Sequence, residues 1–305
     1  MTDGRTSGNG PATRSLNALI ERFHAGERLR VWSFIITVFG DAIVPRGGMV
    51  GMAALQGITD RMRISPGALR AALSRLAKDG WVERERHGRK SYYRLTPESA
   101  ALFADAARRF YAFGPPPWNG GWSVAIAAEE PAVDRDERIV QLAKQGFVRL
   151  SNGLFVRPKT GGAETSAGSL TDMFVLDARA TAMPDWVLQA CSDPEIDVAY
   201  SVLAATIAPL EDALADGGSL SPLDAMVARI LLIHEWRRVL LRDLNPPAAL
   251  RPADWSLEEA RALVGSLYRR LLAPSERWLD TCDGRPDEAL PAPEASLRSR
   301  FTKAL

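Results

Sequence analysis

Residues 65–95 read SPGALRAALSRLAKDGWVERERHGRKSYYRL, and this stretch decides the fold. Ser65 before Pro66 is a helix start, because a serine hydroxyl caps free N–H groups and proline suits the first helical position. From there Leu69, Ala72, Leu73, Leu76 and Ala77 recur on one helical face. Arg70, Ala71, Ser74, Arg75 and Lys78 fall on the opposite face. Gly80 is placed to stop the helix. Trp81 to Arg86 then alternates as a half-buried strand, His87-Gly88-Arg89-Lys90 turns, and Ser91 to Leu95 returns.

Upstream, Arg30 to Ala42 (RVWSFIITVFGDA) is apolar nearly all round and predicts a helix buried at a domain centre. Pro45-Arg46-Gly47-Gly48 is a loop, and Gly51 to Met62 reads as a second, weaker helix. Two helices, a third with a basic front and a basic-tipped hairpin make a winged helix-turn-helix over residues 28–113. Between Arg61 and Glu98 stand ten Lys/Arg against four Asp/Glu. Such a cluster is either a solvated basic face or a footprint for nucleic acid, and the one-sided helix favours the second. In that reading Arg70, Ser74 and Arg75 meet base edges in the major groove, while Lys78, Arg89 and Lys90 grip phosphates. Arg63, Ser65, Arg86 and Tyr92 complete the expected DNA surface.

The whole chain has 305 residues, 38 Lys+Arg against 37 Asp+Glu, 3 His and 2 Cys. That length suits two or three domains. No run of about 18 uncharged apolar residues stands out as a membrane span. Residues 1–27 lack an apolar signal core and read as a disordered tail of a cytoplasmic protein. Cys191 and Cys282 stand alone, which argues against zinc and a disulfide framework. GxSxG, P-loop, GxGxxG-with-acid and HExxH patterns are missing, so no catalytic residue and no enzyme activity is expected.

Pro115-Pro116-Pro117 breaks the chain. Beyond it a strand from Trp122 to Ala128, a helix from Asp134 to Gln145, a hairpin around Ser151-Asn152-Gly153 and a strand from Met173 to Leu176 suggest a ferredoxin-like α+β domain over 118–190. Residues 193–282 read as a helical C-terminal domain. Asp193-Pro194 caps a helix towards Pro209, Ser221-Pro222 caps one reaching Asp243, and Ser256 with Glu259 boxes a third ending near Leu272. Residues 283–305, rich in Pro, Ala, Glu and Arg, read as a second disordered tail. The expected fold class is therefore α+β multidomain.

Several segments resemble the PaaX family, bacterial repressors of phenylacetate catabolism. They are Phe39-Gly40-Asp41, Pro45-Arg46-Gly47-Gly48, residues 75–81 (RLAKDGW), 88–96 (GRKSYYRLT), 118–122 (WNGGW), 231–238 (LLIHEWRR), 241–243 (LRD), 252–255 (PADW) and 275–279 (SERWL). The resemblance implies a homodimer on double-stranded operator DNA, released by an acyl-CoA effector, phenylacetyl-CoA, with no membrane partner and no further cofactor. Two readings of His234, Trp236, Arg237, Arg238 and Arg242 stay open. The arginines complement the helix dipole and the histidine is packed, or the cluster binds CoA phosphates and a ring. The family's middle domain is also similar in fold to a small CRISPR spacer-acquisition nuclease. The alternative function is thus a metal-dependent nuclease, for which this chain offers only Glu129 and Glu130 after its first strand.

Overall fold

The computed structural model describes residues 10–26, 30–128, 132–160, 170, 172–286 and 288–302. The fold is mixed α+β and divides into two compact units. One gathers residues 1–113, 201–238 and 259–305, the other 114–200 and 239–258. The helices of residues 193–282 are divided between these two units, most of their length lying in the one that holds the N-terminal segment.

The first unit opens with α1 (Pro11–Ala25), where a tail was expected. Ala12, Leu16 and Ile20 at helical spacing bury one side of it. Next comes α2 (Val31–Val38), buried from Phe34 through Val38. It continues as a π-helical turn over Phe39–Ile43 and a 3-10 turn over Val44–Arg46. Gly40 sits in that π-turn, where a Cβ would lie 2.4 Å from the Phe103 ring. The turn drives Asp41 inwards to full burial. Then follow β1 (Met49–Gly51), α3 (Met52–Arg61), α4 (Pro66–Lys78), β2 (Val82–His87), β3 (Lys90–Leu95) and α5 (Pro97–Phe110). The three strands pair antiparallel in the order β1-β3-β2.

In the second unit β4 (Trp118–Ile126), α6 (Ala132–Lys144), β5 (Val148–Ser151), β6 (Leu154–Thr160) and β7 (Phe174–Arg179) lead to α7 (Asp185–Cys191). The sheet is antiparallel with strand order β5-β6-β4-β7. One core cluster joins Trp122, Val148 and Val156 to Cys191 and Leu250, and another joins Ala125, Phe147 and Phe155 to Leu142. Period-2 alternation along β4 and β6 sends neighbouring residues to the two clusters.

Helices α8 (Pro194–Ala215), α9 (Pro222–Leu240) and α10 (Leu257–Leu279) follow. Pro209 and Pro274, expected near helix ends, lie inside α8 and α10. Buried Leu210 and Leu279 lie beyond these prolines; their packing outweighs the lost backbone bond. By length and hydropathy α8 could cross a membrane, unlike anything expected from the sequence. Its Ile196, Tyr200, Leu203, Ile207 and Leu210 are buried in the protein.

Residues 283–302, expected to be disordered, form β8 (Asp283–Arg285), β9 (Glu288–Ala289) and a 3-10 turn over Ala295–Ser299. Leu290, Leu297 and Phe301 are buried. The Glu294 N–H donates to the Pro45 carbonyl at 2.9 Å and the Phe301 N–H to that of Tyr111 at 3.0 Å. This segment is a strap across the first unit.

Its anchor is a buried charge network. Arg229 Nε on α9 lies 2.7 Å from Asp41 Oδ2, with both side chains fully buried. Arg300 from the strap donates to Asp41 Oδ1 at 2.9 Å, as do the hydroxyls of Tyr111 at 2.6 Å and Tyr268 at 3.1 Å. Burial pushes the Tyr268 hydroxyl up to about 12, so it stays a donor. Arg229 also meets Glu276, which Arg46 binds from its other oxygen. Removing one partner strands buried charges. Asp41→Asn keeps a side chain that accepts hydrogen bonds but takes the counter-charge from Arg300 and leaves Arg229 with Glu276 alone. It should lower unfolding free energy by about 3–5 kcal/mol, read as a reduced urea midpoint.

Candidate nucleic-acid interface

The α3–α4 turn is tight. The Arg63 N–H donates to the Asp60 carbonyl and the Ile64 N–H to that of Thr59, at 2.9 and 2.8 Å. This doubly bonded helix end places Arg63 in the left-handed region, φ 56°, where glycine is usual. His24 Nε2 on α1 lies 2.6 Å from the Met62 carbonyl and braces the turn. Ser65 then caps α4 by accepting from the Ala68 N–H.

The back of α4 is buried through Leu69, Ala72, Leu73 and Leu76, while Arg70, Ser74, Arg75 and Lys78 are exposed on the other side. No partner is found for Arg70, Lys78 or Arg89 among the described residues, so their charges face solvent. Arg75 lies over the Trp32 ring at 5.3 Å and pairs with Asp79 at 3.4 Å. Arg63 is half exposed with Glu21 at 3.8 Å. Arg86 donates to the Gly88 carbonyl and shapes the hairpin tip. Lys90 pairs with Asp283 of the strap at 3.1 Å.

Other cations of the basic window serve the fold. Arg61 pairs with Asp224 at 2.5 Å, Arg94 with Glu83 at 2.9 Å, and Arg84 donates to Ser91 at 2.8 Å. Tyr92 requires a correction. It stands opposite Gly51 and Glu85 on the central strand and is only 1% exposed, so it offers nothing to DNA. It is flanked by β1, which was not expected from the sequence, and by β2, and its ring packs edge-on to His87.

Of the two readings of the cluster at the end of α9, the contacts of His234 and Trp236 fit the packed one, and these two residues are corrected as effector contacts. Trp236 is fully buried and its indole N–H donates to the Phe110 carbonyl at 2.7 Å, leaving no face for a ligand ring. His234 is buried against Phe23 and Phe34 and lies 3.1 Å from Thr37 Oγ1. Burial, followed by Arg237 and Arg238, pushes its pKa down to about 3. Arg237 donates to Thr37 and lies over Phe110. Arg238 and Arg242 are exposed, beside Glu235 and Glu195 respectively. The cluster is thus split, with His234 and Trp236 buried and Arg238 and Arg242 exposed. A cavity of about 600 Å³ in the first unit lies between α3, the hairpin turn and the end of α10. Of the residues in its wall, Arg89, Lys90 and Tyr92 were expected as site residues from the sequence, all three for DNA. Glu129 and Glu130 lie outside the described residues. No group of three or more His, Cys, Asp or Glu placed to hold a metal occurs among the described residues.

The geometry defines an α+β protein that presents an exposed cationic helix face beside a charged hairpin. The chain belongs to the PaaX-like family: residues 30–99 match the description "PaaX-like protein" and residues 192–281 "PaaX-like protein C-terminal domain". It is 27% identical over 281 residues to the transcriptional repressor PaaX of Escherichia coli (strain K12), covering 88% of this chain and 89% of that protein. The solved structure of the uncharacterized protein Rv0674 from Mycobacterium tuberculosis is similar in fold, with a TM-score of 0.50 and 22% identity over 74% of this chain and 91% of that one.

Two expectations follow from these local geometries. Arg63→Gly relieves the left-handed strain, so thermal stability should hold or rise while DNA affinity, measured by anisotropy, falls. Unfolding lets His234 regain an ordinary imidazole pKa of 6.5. The unfolded chain then binds the extra proton, so stability declines as pH falls from about 6.5 towards 3, by at most about 1.4 kcal/mol per pH unit. Urea midpoints at pH 7 and pH 5 should converge in His234→Asn relative to the unsubstituted protein.

Proposed function

We propose that this chain is a cytoplasmic transcriptional repressor of an aromatic-acid catabolic operon. In this reading α2, α3, α4 and the β2–β3 hairpin are a winged helix-turn-helix, with α4 in the major groove and Arg89 at the wing tip on phosphate or the minor groove. The second unit is then a ferredoxin-like domain, for which the strand order β5-β6-β4-β7 speaks. A homodimer on a palindromic operator and release by an acyl-CoA, phenylacetyl-CoA, come from the family resemblance. The observation that carries the proposal is the division of α4 into a buried apolar back and an exposed front of Arg70, Ser74, Arg75 and Lys78. A helix with that front offers guanidiniums to guanine O6/N7 and small side chains for close approach.

The test is anisotropy or mobility-shift titration of the full chain against DNA from upstream of its own gene, across a salt series. Arg70→Ala should cost about 1–3 kcal/mol and relax sequence preference. Lys78→Ala should weaken binding to all sequences alike and reduce the salt slope by about one. Undiminished affinity and selectivity in both variants would remove α4 from the interface.

A further inference from the structure

The cavity behind the hairpin has the chemistry of an anion site with an apolar wall. Its floor includes the first turn of α3, whose N-cap is Gly51 and which has no side-chain cap. The leading N–H groups of a helix attract negative charge. Tyr92 lines the same cavity, and its buried hydroxyl meets no hydrogen-bond partner among the described residues. A buried hydroxyl left unpaired is costly and calls for an acceptor. Arg89 and Lys90 supply positive charge at one side, and Met52 and Trp278 supply apolar surface.

Gly57 points the same way. A glycine inside α3 weakens the helix by about 1 kcal/mol relative to alanine. Here a Cβ would meet only Trp278 Cζ2, at 3.5 Å, so no crowding demands the glycine. Its effect is to keep the cavity open.

We infer that this cavity binds a small anionic ligand with an apolar body, the anion taken by the α3 N-terminus, Tyr92, Arg89 and Lys90, and the body lying on Trp278. This rests on the reading of the chain as an effector-released repressor and says where release begins. The one carboxylate in the wall, Asp283, holds Lys90 at 3.1 Å. An incoming anion competes with Asp283 for that ammonium and draws Arg89 inwards. Both cations come from the hairpin tip, so ligand occupancy withdraws charge from the DNA-facing side. By linkage, bound DNA weakens the ligand to the same extent.

The chemistry fits a free aryl carboxylate; the acyl end of its thioester carries no charge for these groups to hold, and the experiment separates the two. The full chain is titrated calorimetrically with phenylacetate and with phenylacetyl-CoA, and operator release is followed by anisotropy. Phenylacetate should bind saturably. Tyr92→Phe, which deletes only the hydroxyl, should weaken that probe about tenfold. Gly57→Leu, which fills the cavity, should abolish its binding while thermal melting shows a folded protein. Both variants should bind operator normally and need correspondingly more ligand for release. Binding of neither probe, binding of phenylacetyl-CoA alone, or wild-type binding in both variants overturns the proposed site. Undiminished release in the variants sinks the site but leaves the repressor reading intact. Saturable, variant-sensitive ligand binding by a chain that ignores its operator would do the reverse.

Discussion

The first unit depends on one buried ion pair, Asp41 with Arg229. A carboxylate and a guanidinium withdrawn from water lose hydration that only well-placed partners can offset. Here the partners come from distant parts of the chain: Tyr111 beyond α5, Tyr268 and Glu276 on α10, and Arg300 on the strap. No one of these segments can satisfy Asp41 alone. The requirement selects a single packing of α2, α9 and α10, and it makes the basic helix face part of a unit whose core is closed by residues over two hundred positions away.

Charge in this unit is sorted by depth. Arg46, Arg229 and Arg300 are inside and paired, Arg61, Arg84 and Arg94 fasten the surface, and Arg70, Lys78 and Arg89 are left facing outwards. A net charge of +1 therefore conceals a directed field. What the molecule can present to a polyanion is set by which cations the fold does not use itself.

The helix α4 was legible because its signals are local. Ser65-Pro66 and the spacing of Leu69, Leu73 and Leu76 need no knowledge of the rest of the chain. Tyr92 was misread because alternation says that strand neighbours face opposite ways, not that both faces are covered; β1, which flanks it, has only three residues. The run HEWRR left two readings open for the same reason. The partners of His234 and Trp236, Thr37 and Phe110, are 197 and 126 residues distant. In α1, Ala12, Leu16 and Ile20 carried a helical signal, but the Gly and Ser preceding them coloured the reading of the whole segment. The cavity wall combines three segments with no shared motif, so nothing in one dimension announces it.

The strap has a consequence for how the protein is made. Arg300 reaches Asp41 across 259 positions. During synthesis the amino-terminal helices leave the ribosome long before the guanidinium that completes their core exists. Domains commonly fold in the order they emerge, but this one must wait, its acidic centre unfinished, until translation has passed Phe301. A nascent or truncated product would carry the basic helix without the framework that aims it, and a cell would be spared half-built proteins competing for its genome.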